Sequence, residues 1–225
     1  VRALIATAVF LLACIASGAA QQSALHPSDG TYVYNWSQGG AVAGQSTVVV
    51  QTQGDRVSMR TDTNLPGIQL SGATIVFGSK RLELESYKGY ASANGLNTSV
   101  DLKLVSGAVV GTTKNQLVTN TVNVSQLASV PAIAVDDGTM GTFLMLPAQI
   151  NARGAGSFQL IPIASGIAGF VTFSTSKVGP YPYGVPTSDV VASFGSNTTL
   201  WYDPATFVVD QFARGPLVAT LVGHH

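Results

Sequence analysis

Residues 134–150 read AVDDGTMGTFLMLPAQI, and this segment decides the fold because it breaks a chain otherwise written for β-strands. Met140, Phe143, Leu144 and Pro147 recur at the i, i+3, i+4 and i+7 positions of one helical face, while Thr139, Thr142 and Gln149 are polar. Asp137, or Asp136 if the first turn starts earlier, is placed to cap this helix. A carboxylate there accepts unpaired backbone amides and meets the partial positive charge of the helix N-terminus. Pro147 is expected to end or kink the helix near Leu146, and Gly154 to Gly156 closes the element.

Outward from this segment the pattern is β in both directions. Before it lie TYVYNW (31–36), QSTVVVQTQ (45–53), DRVSMRT (55–61), GIQLSGATIVF (67–77), RLELESYKGYAS (81–92), TSVDLKLV (98–105) and NQLVTNTVNV (115–124). After it come SFQLIPI (157–163), GIAGFVTFS (166–174), DVVASFG (189–195), TTLWYD (198–203) and TFVVDQFA (206–213). Gly, Pro, Asn and Asp punctuate these runs with turn chemistry, as at Gly54-Asp55 and Asn94-Gly95. Leu82 and Leu84 alternate with Arg81, Glu83 and Glu85, which predicts a sheet with one dry and one wet face. The proline and aromatic loop KVGPYPYGVP (177–186) cannot enter a ladder. The expected class is mainly β (α+β): a strongly curved antiparallel sheet or half-barrel with one central helix, in a single domain spanning 21–225.

The first residues, VRALIATAVFLLACIASGAAQQ (1–22), join Arg2 to an apolar run from Ala3 to Ile15 and small residues at Gly18, Ala19 and Ala20. They read as a signal peptide, residues 1–20, cleaved after Ala20. The protein is thus expected to be exported, to a periplasm or the extracellular space, with no transmembrane segment after cleavage. Cys14 in LLAC resembles a lipobox, the alternative being a lipid anchor. The apolar run that continues past it to a good cleavage site favours removal. Charged residues make up 10% of the chain, 11 basic and 11 acidic, against about 25% in typical soluble proteins. That balance offers no basic field for nucleic acid, and the low charge implies much buried surface or an apolar ligand.

The histidines, His26, His224 and His225, all fall at the ends of the mature chain, and Cys14 is the sole cysteine. A Ser-His-Asp triad or a histidine or thiolate metal site would have to recruit a floppy terminus, so no metal and no cofactor are expected. Carboxylate catalysis by Asp136, Asp137 or Asp203 is the enzymatic alternative. Neighbouring acids on a strand point to opposite faces, however, and helix capping accounts for the pair more simply. In TTLWYDPAT (198–206), Asp203-Pro204 opens a turn, and Trp201 and Tyr202 face opposite sides of the sheet, one toward the core and one toward solvent. Trp201 is expected to pack in the core, with ligand lining as the alternative, and Arg153 to be a solvated surface arginine, with an acid or an anionic head group as the alternative partner.

An exported chain with consecutive hairpins, an Asp-led mid-chain helix and the late phrase Leu200-Trp201-Tyr202-Asp203-Pro204 resembles bacterial envelope proteins of the LolA/LppX-like, lipid-carrier type, over roughly residues 30–215. It departs from those carriers in having one helix. The resemblance implies an open half-barrel with a helix over its concave face, and a lipid or similar ligand between them. On that footing Met140, Phe143, Leu144 and Met145 are the candidate ligand-facing residues, and the function expected is non-enzymatic binding of a hydrophobic or amphipathic molecule. The alternative is a structural or interaction module, accessory to a secreted hydrolase, with a filled core. The oligomeric state is left open.

Overall fold

The computed structural model describes residues 26–65, 68–80, 82–93, 95–125, 132–135, 140–153, 157–162, 169–176, 179–194 and 197–225. The expected signal segment, the capping residues Asp136 and Asp137, and the glycines Gly154 and Gly156 lie outside them.

Two meanders build one sheet. The first comprises β1 (Gly30–Gln38), β2 (Ala41–Gln53), β3 (Arg56–Leu65), β4 (Ile68–Gly78), β5 (Leu84–Ala93), β6 (Leu96–Val105), β7 (Ala108–Asn115) and β8 (Thr119–Ser125). The second follows a short strand β9 (Ala132–Val135) and the helix α1 (Met140–Arg153). It comprises β10 (Ser157–Pro162), β11 (Gly169–Ser176), β12 (Val190–Phe194), β13 (Thr198–Tyr202), β14 (Val209–Arg214) and β15 (Leu217–His224). Among the described residues all 15 strands form a single sheet that runs from β8 through β1, crosses to β15 and ends at β9. Every neighbouring pair is antiparallel except β9 and β10, which are parallel with α1 as their crossover. Edge strand β9 comes up against β5, so the sheet rolls round on itself into a barrel-like form. Register shifts at Trp36/Ser37, Thr61/Thr63, Leu70/Thr74 and Trp201/Tyr202 supply local bends that a sheet needs in order to curl.

Alternation sends Tyr32, Tyr34 and Trp36 of β1, Val48 and Val50 of β2, and Val57 and Met59 of β3 into one core. The middle of that core is the helix. Residues 140–150 are all buried, and α1 packs on β2, β3, β9 and β14. A helix enclosed on every side gains nothing from a polar face, which is why the run is apolar nearly all round. Pro147 does not end it: α1 continues to Arg153. The proline removes the backbone bond to the Phe143 carbonyl, but dense packing of Leu146, Ala148 and Ile150, each at most 3% exposed, keeps the following turn helical.

Two polar contacts fix the helix within the sheet. The Gly141 amide donates to Thr61 Oγ1 at 3.0 Å, so an amide of the first turn is satisfied from β3. A Cβ at position 141 would collide with that hydroxyl while meeting Ile75 and Met59 at ordinary contact distance, so glycine is needed for the approach to Thr61. At the other end Gln149 Nε2 donates to the Leu82 carbonyl at 2.7 Å.

The C-terminal histidines are not on a floppy end. Leu217–His224 is a central strand. His224 stacks on Tyr32 with ring centroids 4.1 Å apart, and Thr31 and His225 exchange backbone bonds of 2.7 and 3.1 Å. Tyr32 anchors this corner, donating to the Ser28 carbonyl at 2.8 Å.

Candidate functional site

The helix ends at one mouth of the barrel, and there the structure leaves a cleft of about 310 Å³ lined by Asn151, Thr175, Ser176, Val190, Tyr202, Pro204 and Phe207. Asn151 comes from the last turn of α1, Thr175 and Ser176 from the end of β11, and Val190 and Tyr202 from the paired ends of β12 and β13. One wall is therefore aromatic and aliphatic, and the other carries hydroxyls and an amide.

The turn from 203 to 208 shapes this mouth. Asp203 Oδ1 accepts from the Ala205 amide at 2.8 Å and Oδ2 from Thr206 Oγ1 at 2.9 Å. Its carbonyl accepts from the Phe207 amide at 2.8 Å. Asp203 thus opens a turn, as its sequence implies, and both its carboxylate oxygens are engaged there. The turn drives Phe207 to a φ of 59°, a conformation costly for a bulky residue. In return the ring is 5% exposed and reaches both the core and the cleft.

Beside the cleft walls lie two acids that sequence reasoning passed over. Asp189 precedes Val190, and Asp210 sits in β14. Burial pushes the Asp189 carboxyl up to about 7, helped by a hydrogen bond with Asp210 and by the charges of Asp210 and Asp203. Asp210 is also raised, chiefly by burial, while its bond with Asp189 acts the other way. The two acids titrate as a pair, and Asp189 Oδ2 has no hydrogen-bond partner among the described residues. The residue is 2% exposed. No sequence signal joins positions 189 and 210; only the pairing of β12, β13 and β14 does.

The residues singled out by sequence separate. Met140, Phe143, Leu144 and Met145 are 0 to 1% exposed in the core, with Phe143 stacked on Phe212 at 4.1 Å. None of the four lines the mouth cleft. Trp201 and Tyr202 do face opposite sides, yet neither is wet: Tyr202 belongs to the main core and Trp201 to a smaller cluster with Val185 and Val191. The proline-rich loop makes the difference by folding over the outer face. Trp201 Nε1 donates to the Pro180 carbonyl at 3.1 Å, and Tyr181 Oη to that of Asp189, also at 3.1 Å. Trp201 is therefore a fastening for the loop, remote from the helix side of the sheet. Arg153 is the last residue of α1, at the end nearest the mouth. Among the described residues no group of three or more His, Cys, Asp or Glu could hold a metal ion.

This architecture has a solved counterpart. The fold is similar to the crystal structure of a β-barrel-like protein of the domain of unknown function DUF1849 from Brucella abortus, with a TM-score of 0.54, 10% identity, and coverage of 89% of this chain and 98% of that one. That likeness concerns the barrel-like fold alone. No family model and no curated protein matches the sequence.

Proposed function

We propose that this is an exported, non-catalytic binding protein that holds a small hydrophobic or amphipathic molecule at the barrel mouth. The carrying observation is the two-sided cleft where α1 ends, with Tyr202, Phe207 and Val190 for an apolar tail and Asn151, Thr175 and Ser176 for a polar head. A volume of about 310 Å³ lies at the lower end of the range for small-molecule sites, about 300–1,000 Å³. Export, as read from residues 1–20, and the resemblance to envelope lipid carriers support the same reading. The full-length protein, purified without detergent, is expected to release a co-purifying amphiphile on solvent extraction, visible by native mass spectrometry. A Phe207→Ser variant should lose it. Protein that comes out empty and binds no hydrophobic dye would reject the proposal.

The second reading is an interaction module without ligand, favoured by the burial of Met140 to Leu146 at 1% exposure or less where described. On that reading the helix is structural filling, and Phe207→Ser changes stability but no bound species.

A further inference from the structure

The outer face of β4 to β7, away from helix and mouth, carries a second depression of about 470 Å³, lined by Gly72, Thr74, Lys88, Tyr90, Ser99 and Asp101 among others. Its shape follows from strand pairing. The register of β4 against β5 shifts between Leu70 and Thr74, and within that bulge Gly72 adopts a φ of 77°, which a side chain would strain. Thr74 stands opposite Lys88, Lys88 opposite Asp101, and Asp101 opposite Thr112, which aligns one row of solvent-facing side chains across four strands. In the adjacent row Tyr90 stands opposite Ser99 and keeps 40% of its surface exposed. Lys88 and Asp101, though direct neighbours, form no ion pair among the described residues.

The chemistry of this lining selects its ligand. A polyanion needs an excess of cations converging on the depression, and within the lining Lys88 is balanced by Asp101, while Lys114, opposite Ser99, and Lys103, opposite Ser86, stand on the same face outside it. A lipid tail needs apolar walls, and here the rows are hydroxyl and charged groups. One exposed aromatic face beside hydroxyls, an ammonium and a carboxylate matches a molecule with a C–H face and a rim of hydroxyls. We propose that this depression binds a neutral saccharide, its C–H face on Tyr90 and its hydroxyls on Lys88, Asp101 and Ser99. The site is independent of the mouth and its proposed ligand.

Saturation-transfer NMR on the purified full chain, with chitobiose and maltotriose as probes, tests it together with amide shift mapping. Transfer to the ring protons of at least one probe is expected, with shifts centred on residues 72–74, 88–90, 99–101 and 112. Tyr90→Ala should weaken binding by about tenfold or more at unchanged melting temperature. Should that variant be destabilised, Asp101→Asn provides the same loss from a polar position, and Phe207→Ser at the mouth should leave saccharide binding intact. No transfer to either probe, shifts elsewhere, or undiminished affinity in both groove variants overturns the proposal.

Discussion

At the scale of single residues, the fold turns on a few atoms that meet across long stretches of sequence. Thr61, from β3, accepts the Gly141 amide through its hydroxyl oxygen and so ties the first turn of the helix to the sheet. Thr61→Val keeps the shape and removes the acceptor, so chemical denaturation should show a loss of about 1 kcal/mol. Phe143→Ala removes a ring that stacks on Phe212 in the barrel centre and should cost about 3–5 kcal/mol by the same measurement. Asp189 works in the opposite sense. Burial pushes its carboxyl up to about 7, above the ordinary aspartate value of about 4, so at this residue the folded state binds more protons than the unfolded one between those limits. The stability this carboxyl contributes should be fullest below about pH 4, fall as pH rises toward 7, and level off above it. Asp189→Asn should flatten that slope and leave the variant the more stable protein at pH 8, as thermal melts across the pH range would reveal. A wild-type slope of opposite sign would mean that the pair is ionised in the native state.

Among the elements, the loop 179–189 shows how a strand can be dry on both faces. Trp201 and Val191 lie on the outer side of β13 and β12, and the loop covers them with Val185 and Tyr181. Trp201→Phe retains most of that contact but loses the bond to Pro180, so hydrogen exchange should accelerate at Val185 and Asp189 while global stability falls by only about 1 kcal/mol. The helix, the hairpins before it and most later strands were legible from alternation and turn residues. Three strands were not. In β7 (AVVGTTKN), Gly111 reads as a breaker, but its φ of 155° is tolerated where the backbone approaches Asp101. β9 has four residues, too few to show a period. β15 (LVATLVGH) lacks strict alternation because its central pairing, more than its side chains, holds it. The candidate site was legible only in part. Hydrophobic periodicity marks what is buried, so it pointed to Met140 through Met145, whereas the mouth is assembled from strand ends and a strained turn that have no linear signature.

For the molecule as a whole, the strand pairs among the described residues join neighbours in sequence except along one line, where β1 meets β15. This seam joins the two meanders, and its residues are far apart in the chain, with Tyr32 facing His224 and Gln38 facing Leu217. Replacing Ala219, fully buried opposite Trp36, by Asp should therefore unfold both meanders together. Circular dichroism and tryptophan fluorescence, from Trp36 in one meander and Trp201 in the other, would report one common loss, whereas separable transitions would indicate two independently stable halves. The seam also sets an order in time. As the chain emerges, each hairpin can form once its own strands are available, but the centre of the sheet waits for β15 to arrive. Until then Tyr32 and Tyr34 of β1 lack the partner strand beside them, so the first meander stays an open, apolar sheet while the whole second meander is made and needs shelter from its neighbours until β15 closes it.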